Sequence, residues 1–380
     1  MSAPRVIISG GGTGGHIFPA IAVAQELRAR CPEARILFIG TERGVEASVV
    51  PAAGFDIRFV RARGLSRKPL EAMRAIVENL VGMVSALRHV RQFRPQVVVG
   101  SGGYVSVPVN LAAWATFTPT VLLEQNVVPG KATRALSLRA RKVCVSFEAT
   151  APAFGAKAVN TGNPVRDEII TRTREEARAR LGIAPDRFCL LVTGASQGAR
   201  SVNEAVVAAL PGWKGRDWHV LHLTGRLDHD TVRQAAVQAL GGDARLTWDG
   251  RDFLADMASA YAAADLVIAR AGATTMAELT VRGLPAILIP YPHAGGHQIE
   301  NARALEKVGG AQVILDAEAR AALPAVVERL VDQPEERARM ARASACAGHP
   351  DAAARIVDEV LRAAGISLQT PEMAVLSSNS

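Results

Sequence analysis

Several clusters of residues along this 380-residue chain have types and spacings that could do chemistry. The first is Gly10-x-Gly12-x-x-Gly15, including Thr13 and Gly14, a glycine turn whose backbone can approach a diphosphate facing a helix N-terminus. His16 follows directly, a side chain suited to general-base work near neutral pH. An acidic residue closing the second strand would mark a nicotinamide site, but Ile39 is followed by Gly40-Thr41 and only then Glu42. The plain counterpart is a glycine turn that merely lets strand and helix pack. A second turn, Gly100-Ser101-Gly102-Gly103-Tyr104-Val105-Ser106, offers further N–H groups to an anion such as a second diphosphate. After the next strand comes Glu124-Gln125-Asn126, polar side chains at the edge where parallel sheets bind ligands. Loop hydrogen bonding, or capping by Asn126, competes with that reading.

The second half repeats the theme. Residues 194–200 place Ser196 and Gln197 at a helix N-terminus, a third phosphate-compatible site. In Arg270-Ala271-Gly272-Ala273-Thr274-Thr275-Met276-Ala277-Glu278 the small residues open a helix N-terminus to phosphates. Glu278, one turn inside, either accepts hydrogen bonds from both ribose hydroxyls or simply favours the positive helix end. The loop 290–298 brings imidazole and amide groups to the same edge, and Gln298 either meets a sugar hydroxyl or begins a surface helix. Asp228-His229-Asp230 looks like a metal-holding acid pair, but it heads a helical pattern over 231–240, so capping is the preferred reading. His219 and His222 bracket an apolar strand run and read as structural. No metal site is expected.

The elements that must position these groups follow from pattern and composition. With 49% apolar, 21% charged and only 4% aromatic residues, the chain has the makings of folded cores and suits alternating strands and helices better than an all-β sandwich. Short β-branched runs at 5–9, 35–39, 97–99, 120–123 and 142–146 alternate with helical patterns such as 16–30 and 71–93. The alternation restarts at 188–192 and continues through 218–223, 245–248, 266–269, 286–289 and 312–315. Two α/β domains with parallel sheets result. Their boundary is expected at Thr161-Gly162-Asn163-Pro164, with a ligand cleft nearby. Residues 366–380 lack periodicity and read as a frayed tail.

Other features exclude whole classes. The four cysteines are far apart and form no CxxC pair, so neither a disulfide framework nor a zinc site is indicated. The N-terminus lacks the apolar core of a signal peptide. No charged residue occurs between Arg94 and Glu124, yet Gly100, Gly102, Gly103, Pro108 and Pro119 break that run, so a buried βαβ unit explains it better than a membrane span. The net charge of +8 is uneven: residues 1–165 carry 20 basic against 9 acidic side chains, and the remainder 24 against 27. One half therefore suits an anionic partner. The 71–93 helix aligns Met73, Ile76, Leu80, Met83/Val84 and Leu87, with Arg67, Lys68, Arg74, Arg88, Arg91 and Arg94 around or before it. Pattern alone favours a helix covering the sheet with a basic outer face, while the charge asymmetry keeps docking on an anionic bilayer in view.

Taken in order, residues 9–16, 102–106, 124–126, 162–166, 196–200 and Arg270-x-Gly272-Ala273 with Glu278 resemble the MurG family over about residues 4 to 362. These are the bacterial UDP-N-acetylglucosamine transferases that convert lipid I to lipid II in peptidoglycan synthesis. The resemblance implies an α/β GT-B fold: two Rossmann-like parallel-sheet domains (1–162 facing acceptor and membrane, 163–350 binding UDP-GlcNAc) with a deep interdomain cleft. It also implies that a helix over 351–365 packs back on the first domain. It places Thr13, Gly14 and Gly15 near the donor, Asn126 beside the donor sugar, and Arg166, Ser196, Gln197 and Leu254 around the nucleotide. Ala273, Thr274, Thr275 and Glu278 would hold phosphate and ribose, Gln298 the sugar, and Gly102, Gly103 and Tyr104 the acceptor diphosphate. His16 is the candidate base, with Glu124 as the second catalytic candidate, and no cofactor or metal is implied. The implied partners are UDP-GlcNAc, undecaprenyl-linked lipid I, an anionic membrane surface and cell-wall synthesis or division proteins, without nucleic acid. The implied place is peripheral, on the cytoplasmic face of the inner membrane. Many relatives have His before Glu-Gln-Asn where this chain has Leu123, so a catalytic role for that histidine cannot apply here. The alternatives are a glycosyltransferase acting on diacylglycerol, a nicotinamide-dependent oxidoreductase, which would leave Ser196 and Glu278 unexplained, and a nucleotide-sugar binding protein without turnover.

Overall fold

The computed structural model describes residues 3–64, 68–194, 198–242, 245–292 and 296–366. Arg67 and most of the expected tail, 367–380, lie outside them. The chain divides into two compact units. The first comprises the chain up to Gln125, Pro129–Pro164 and the segment from Asp351; the second comprises Asn126–Val128 and Val165–Pro350.

In order, the first unit contains β1 (Arg5–Ser9), α1 (Gly14–Arg30), β2 (Arg35–Gly40), α2 (Glu46–Ala52), β3 (Asp56–Phe59), α3 (Pro69–Phe93), β4 (Val97–Gly100), α4 (Ser106–Ala115), β5 (Thr120–Glu124), α5 (Lys131–Ser137), β6 (Lys142–Val145) and β7 (Ala158–Asn160). All seven strands are parallel, in the order β3-β2-β1-β4-β5-β6-β7. The second unit begins with α6 (Asp167–Thr171), α7 (Arg174–Leu181), β8 (Phe188–Thr193), α8 (Arg200–Ala209), β9 (Trp218–Leu223), α9 (His229–Leu240) and β10 (Thr247–Arg251). It continues through α10 (Met257–Ala263), β11 (Leu266–Ala269), α11 (Ala273–Val281), β12 (Ala286–Leu288), α12 (His297–Lys307), β13 (Ala311–Val313), α13 (Ala319–Asp332) and α14 (Pro334–Cys346). Its six-stranded sheet, β10-β9-β8-β11-β12-β13, repeats the same winding. The last helix, α15 (Ala352–Ala363), belongs to the first unit.

Both sheets are covered on both faces, which is why their strands read as unbroken apolar runs. Val6 and Ile8 face α1 and the Ile356, Val357, Val360 and Leu361 side of α15, whereas Ile7, Leu37 and Val98 face Ala86 and Val90 of α3 and Val109 of α4. β3 and β7 have no counterpart among the strands expected from sequence. β3 is an edge strand with alternating exposure, Asp56-Ile57-Arg58-Phe59, and β7 has three residues, so neither carries a buried apolar run.

The helix α3 covers the sheet only toward its C-terminal end, where Ala86 and Val90 are buried. Up to Ala86 its buried side is made of small residues: Ala75 and Ala86 are fully buried, and a Cβ on Gly82 would lie 1.8 Å from the Arg61 carbonyl. Asn79 fastens it by donating to the Arg63 carbonyl (2.9 Å) and accepting from the Arg63 N–H (3.1 Å). The large apolar side chains point away: Leu70 is 73% exposed and Val84 68%, with Met73, Ile76, Val77, Leu80 and Val81 exposed between them. Among the described residues no helix is long and apolar enough to cross a membrane.

Since α15 supplies part of the apolar cover of β1 and β4, Ile356→Ala should weaken the first unit by about 2–5 kcal/mol. Amide hydrogen exchange in β1 and β4 should accelerate accordingly, while that in β8 and β11 stays unchanged.

Candidate active site

In each sheet the strand order reverses next to its first strand, and the loops leaving the two strands at that point diverge to opposite faces. In the first unit the pair is β1 and β4, with Ser9 opposite Gly100. In the second it is β8 and β11, with Thr193 opposite Ala269. The described residues singled out for chemistry lie mostly at these two carboxyl edges.

In the first unit His16 sits in the opening turn of α1, after Thr13 at the N-cap. Its Nδ1 lies 3.1 Å from Gln125 Oε1. The Gln125 amide is oriented by its other end, where Nε2 donates to the Ser101 carbonyl at 2.8 Å, so Oε1 is the acceptor facing the ring. His16 therefore carries its proton on Nδ1, and Nε2 keeps the lone pair. The Ser101 hydroxyl closes the circuit by donating to the His16 carbonyl. Burial lowers the imidazole below its ordinary value of 6.5 and outweighs the opposing pull of Gln125, the Glu124 charge and the Ser101 backbone. The ring is thus neutral at pH 7.

Part of the hydrogen-bonding capacity of the glycine turns is used inside the fold. Glu46, fully buried and unremarked in the sequence, accepts hydrogen bonds from the Gly12 N–H (3.0 Å), the Thr41 N–H (2.9 Å) and the Thr41 hydroxyl (2.8 Å). One donor of the first turn is spent on a carboxylate, whose charge opposes an anion there. A Cβ on Gly11 would lie 2.3 Å from Glu46 Oε1, so this glycine makes room for the acid. In the second turn the Gly102 N–H is likewise committed, to Ser106 Oγ at 3.1 Å. Gly102 has φ +100°, and its Cβ would meet His16 Nδ1 at 2.7 Å, so its duty is steric. Gly103 also has positive φ, and Tyr104 is partly exposed beside Gly12.

Glu124 is buried, and its carboxylate accepts the Gly130 N–H at 2.9 Å, so it fixes the start of α5 and acts on His16 through its charge. Leu123 points the other way, into the apolar cluster with Val121, Cys144 and α15. Asn126 is held in the second unit by Asn301, a fully buried amide that no motif marks. Asn301 donates to Asn126 Oδ1 (3.1 Å) and to the Ala271 carbonyl (3.2 Å), and accepts the Val127 N–H (2.9 Å).

In the second unit Ala273, Thr274 and Thr275 form the first turn of α11 after Gly272. Glu278, one turn on, is buried and accepts the Tyr261 hydroxyl at 2.9 Å. Burial pushes its carboxyl up to about 7, against the lowering by Tyr261 and Arg166. Arg166 itself pairs with Glu168 at 2.6 Å, and Leu254 is half-buried in the loop after β10. Gln298 Oε1 accepts the Tyr291 N–H at 2.9 Å, leaving its amide nitrogen as the donor end. Ser196 and Gln197 lie outside the described residues, as does most of the turn before Gln298, 293–295. Arg270 is a strut and not a ligand: its guanidinium donates to the Ile289 carbonyl, Ser201 Oγ and Asp316.

The acid pair before α9 and the strand histidine His222 have partners within the fold. Asp228 stands at the N-cap of α9 but makes no side-chain cap bond; Asn203 Nδ2 reaches it instead at 3.5 Å. His222 is fully buried, with Nε2 3.0 Å from Asn203 Oδ1 and Nδ1 accepting from the Trp248 indole, and burial lowers it to about 3. Among the described residues no group of three His, Cys, Asp or Glu side chains could hold a metal.

Comparison with known proteins places this geometry. The glycosyltransferase family 28 N-terminal domain matches residues 6–145 and the family 28 C-terminal domain residues 189–356. The UDP-N-acetylglucosamine--N-acetylmuramyl-(pentapeptide) pyrophosphoryl-undecaprenol N-acetylglucosamine transferase of Moorella thermoacetica is 43% identical, over 94% of this chain and 98% of that protein. The protein of the same name from Desulfitobacterium hafniense is 44% identical, over 93% and 97%. The crystal structure of Acinetobacter baumannii MurG superposes with a TM-score of 0.74 at 29% identity, covering 94% of this chain and 99% of that one. With both halves matched and these relatives aligned along nearly their whole length, the chain belongs to glycosyltransferase family 28 and, within it, to the MurG family.

Proposed function

We propose that this chain transfers N-acetylglucosamine from UDP-N-acetylglucosamine to the C4 hydroxyl of lipid I, undecaprenyl-pyrophosphoryl-MurNAc-pentapeptide, giving lipid II for the cell wall. The observation that carries this reading is the 43–44% identity to transferases of that name along nearly all of both chains. The site geometry supports it. The acceptor oxygen attacks the anomeric carbon as the bond from that carbon to the diphosphate oxygen breaks, inverting the centre and releasing UDP with the electron pair. The acceptor proton passes to His16 Nε2, the nitrogen left basic by the Nδ1–H bond to Gln125. Gln125 is a positioning residue in this scheme, and Glu124 stabilises the imidazolium as it forms. The N-terminus of α11 takes the diphosphate of UDP through Ala273, Thr274 and Thr275. Glu278 takes the ribose hydroxyls with the carboxylate capacity that Tyr261 does not use.

The exposed apolar stripe of α3 rests in the interface of an anionic membrane, the surface on which the undecaprenyl chain of the acceptor is anchored. The basic first half of the chain favours the same surface. The enzyme then works as a peripheral protein on the cytoplasmic face of the inner membrane.

Transfer of labelled N-acetylglucosamine to a lipid I analogue tests the assignment: His16→Ala should lower kcat by about 10²–10⁴-fold with UDP affinity retained. No product from wild type with a competent lipid I analogue would overturn the acceptor, and diacylglycerol would be tried next. The wild-type acid limb of kcat should lie below pH 6.5, because only neutral His16 can accept the proton. Gln125→Glu should move that limb upward by placing a negative charge on Nδ1–H, a shift that a merely structural residue would not produce. For Glu278, ionisation near pH 7 provides the acceptor form, so UDP affinity should rise from pH 6 to pH 8 and flatten in Glu278→Gln. The folded-state value lies above the ordinary 4.5, so the nucleotide-free second unit should lose stability as pH rises from about 4.5 to 7, a slope the same variant removes.

A further inference from the structure

Helix α10 is built mostly of small residues, Met257-Ala258-Ser259-Ala260-Tyr261-Ala262-Ala263, and Tyr261 is the one aromatic ring in it, with its side chain buried. A phenylalanine would fill the same space without bringing a hydroxyl into the interior. The hydroxyl has a definite partner, because it donates to Glu278 Oε2 on α11 at 2.9 Å. Burial first, and then the Glu278 charge, hold the phenol well above its ordinary value of 10, so it keeps its proton and has only that one to give. The Thr275 hydroxyl, in the first turn of α11, reaches the same phenol and is therefore the donor to it. Thr275, Tyr261 and Glu278 thus form a one-way chain of hydrogen bonds that ends on the carboxylate.

That chain does not complete the carboxylate. An ionised carboxyl offers about four acceptor positions, and among the described residues Tyr261 is the one side chain that donates to Glu278. Arg166, ahead of α6, and Glu168, inside it, act on Glu278 through their charges, the first lowering and the second raising its carboxyl. Replacing a buried hydrogen-bonded pair by apolar groups of the same shape is near neutral or stabilising, so stability does not account for this one. What the phenol supplies is orientation: with Oε2 tied down, the carboxyl plane is fixed and Oε1 is held in one place as an acceptor.

We propose that Tyr261 is a positioning residue for the nucleotide: it holds the Glu278 carboxylate in the orientation that accepts the ribose hydroxyls, and so sets the preference of the site for a ribonucleotide over its 2′-deoxy counterpart. The proposal rests on the assignment of Glu278 to the ribose made above. A site that commits a buried acceptor to a ligand hydroxyl rejects the ligand lacking it, because the acceptor is then left unpaired. The rejection is only as sharp as the acceptor is fixed.

Binding of UDP and of 2′-deoxy-UDP to the full chain, measured by calorimetry, tests the role. Wild type should favour UDP by roughly tenfold or more. Tyr261→Phe should weaken UDP roughly tenfold and 2′-deoxy-UDP far less, so that the preference shrinks. The KM for UDP-N-acetylglucosamine should rise with the loss of UDP affinity, while kcat at saturating donor changes by less than about twofold, which also shows that the variant is folded. Because Tyr261 lowers a carboxyl that burial has pushed up to about 7, the rise of UDP affinity with pH should move to higher pH in the variant. In a Glu278→Ala background, where there is no carboxylate to hold, Tyr261→Phe should cost UDP nothing further. Unchanged UDP affinity in Tyr261→Phe, equal losses for both nucleotides with the pH profile unmoved, or a further loss in the Glu278→Ala background would each overturn the role of Tyr261 alone. Wild type that binds both nucleotides equally, or neither, would overturn the ribose assignment of Glu278 and the role of Tyr261 together.

Discussion

The first unit depends on how closely the loop after β1 approaches the loop after β4. A parallel sheet sets neighbouring strands about 4.8 Å apart, and at the switch point nothing else separates the two turns. The Gly102 Cα is so close to the His16 ring that a Cβ would sit 2.7 Å from Nδ1, and the Ser101 hydroxyl reaches the His16 carbonyl. This proximity lets Gln125, from the next strand over, bridge ring and loop with one amide. The tautomer of His16 is thus a consequence of sheet geometry. Glycine-rich turns here serve backbone approach, and the Gly12 N–H is spent within the fold, on Glu46.

Buried charge in the two units is handled in opposite ways. Glu46 receives three hydrogen bonds from the protein around it and locks the first turn. Glu278 receives one from Tyr261 and is pushed up to about 7 by burial. A buried carboxylate that its own fold undersatisfies is costly unless something else completes its coordination. The ribose hydroxyls of a nucleotide have the right chemistry to do so, and the proposed reading therefore ties donor binding to the ionisation of one group.

The fold was largely legible in the sequence because strands covered on both faces must be apolar throughout, as 97–99 and 120–123 are. Edge strands carry no such signal, and β3 and β7 had none. His16 and Glu278 could be picked out because each stands at a fixed offset from a glycine turn. Glu46 and Asn301 could not, since the bonds that tie them to the two sites, to the Gly12 N–H and to Asn126, span 34 and 175 residues. Gln125 was visible but undecided between loop and site, and only the position of Ser101 resolves which end of its amide faces the ring. Leu123 shows the limit of reading by offset, because alternation along β5 sends that position into the core while Glu124 and Gln125 turn toward the loops.

The same alternation of faces explains α3. Ala86 and Val90 share the cluster of Ile7 and Val98 with α4, whereas upstream the helix approaches with small residues, and Gly82 presses against the Arg61 backbone. Its large apolar side chains are then forced outward whatever their cost in water. A period-3.6 pattern records that a helix has an apolar face and says nothing of which side the sheet is on. Here the face that looks like core is the outer surface, and the small residues that look like filler are what bury the helix. An exposed stripe of this length is a liability in water unless a surface covers it, which is why the proposed membrane contact is set on this helix.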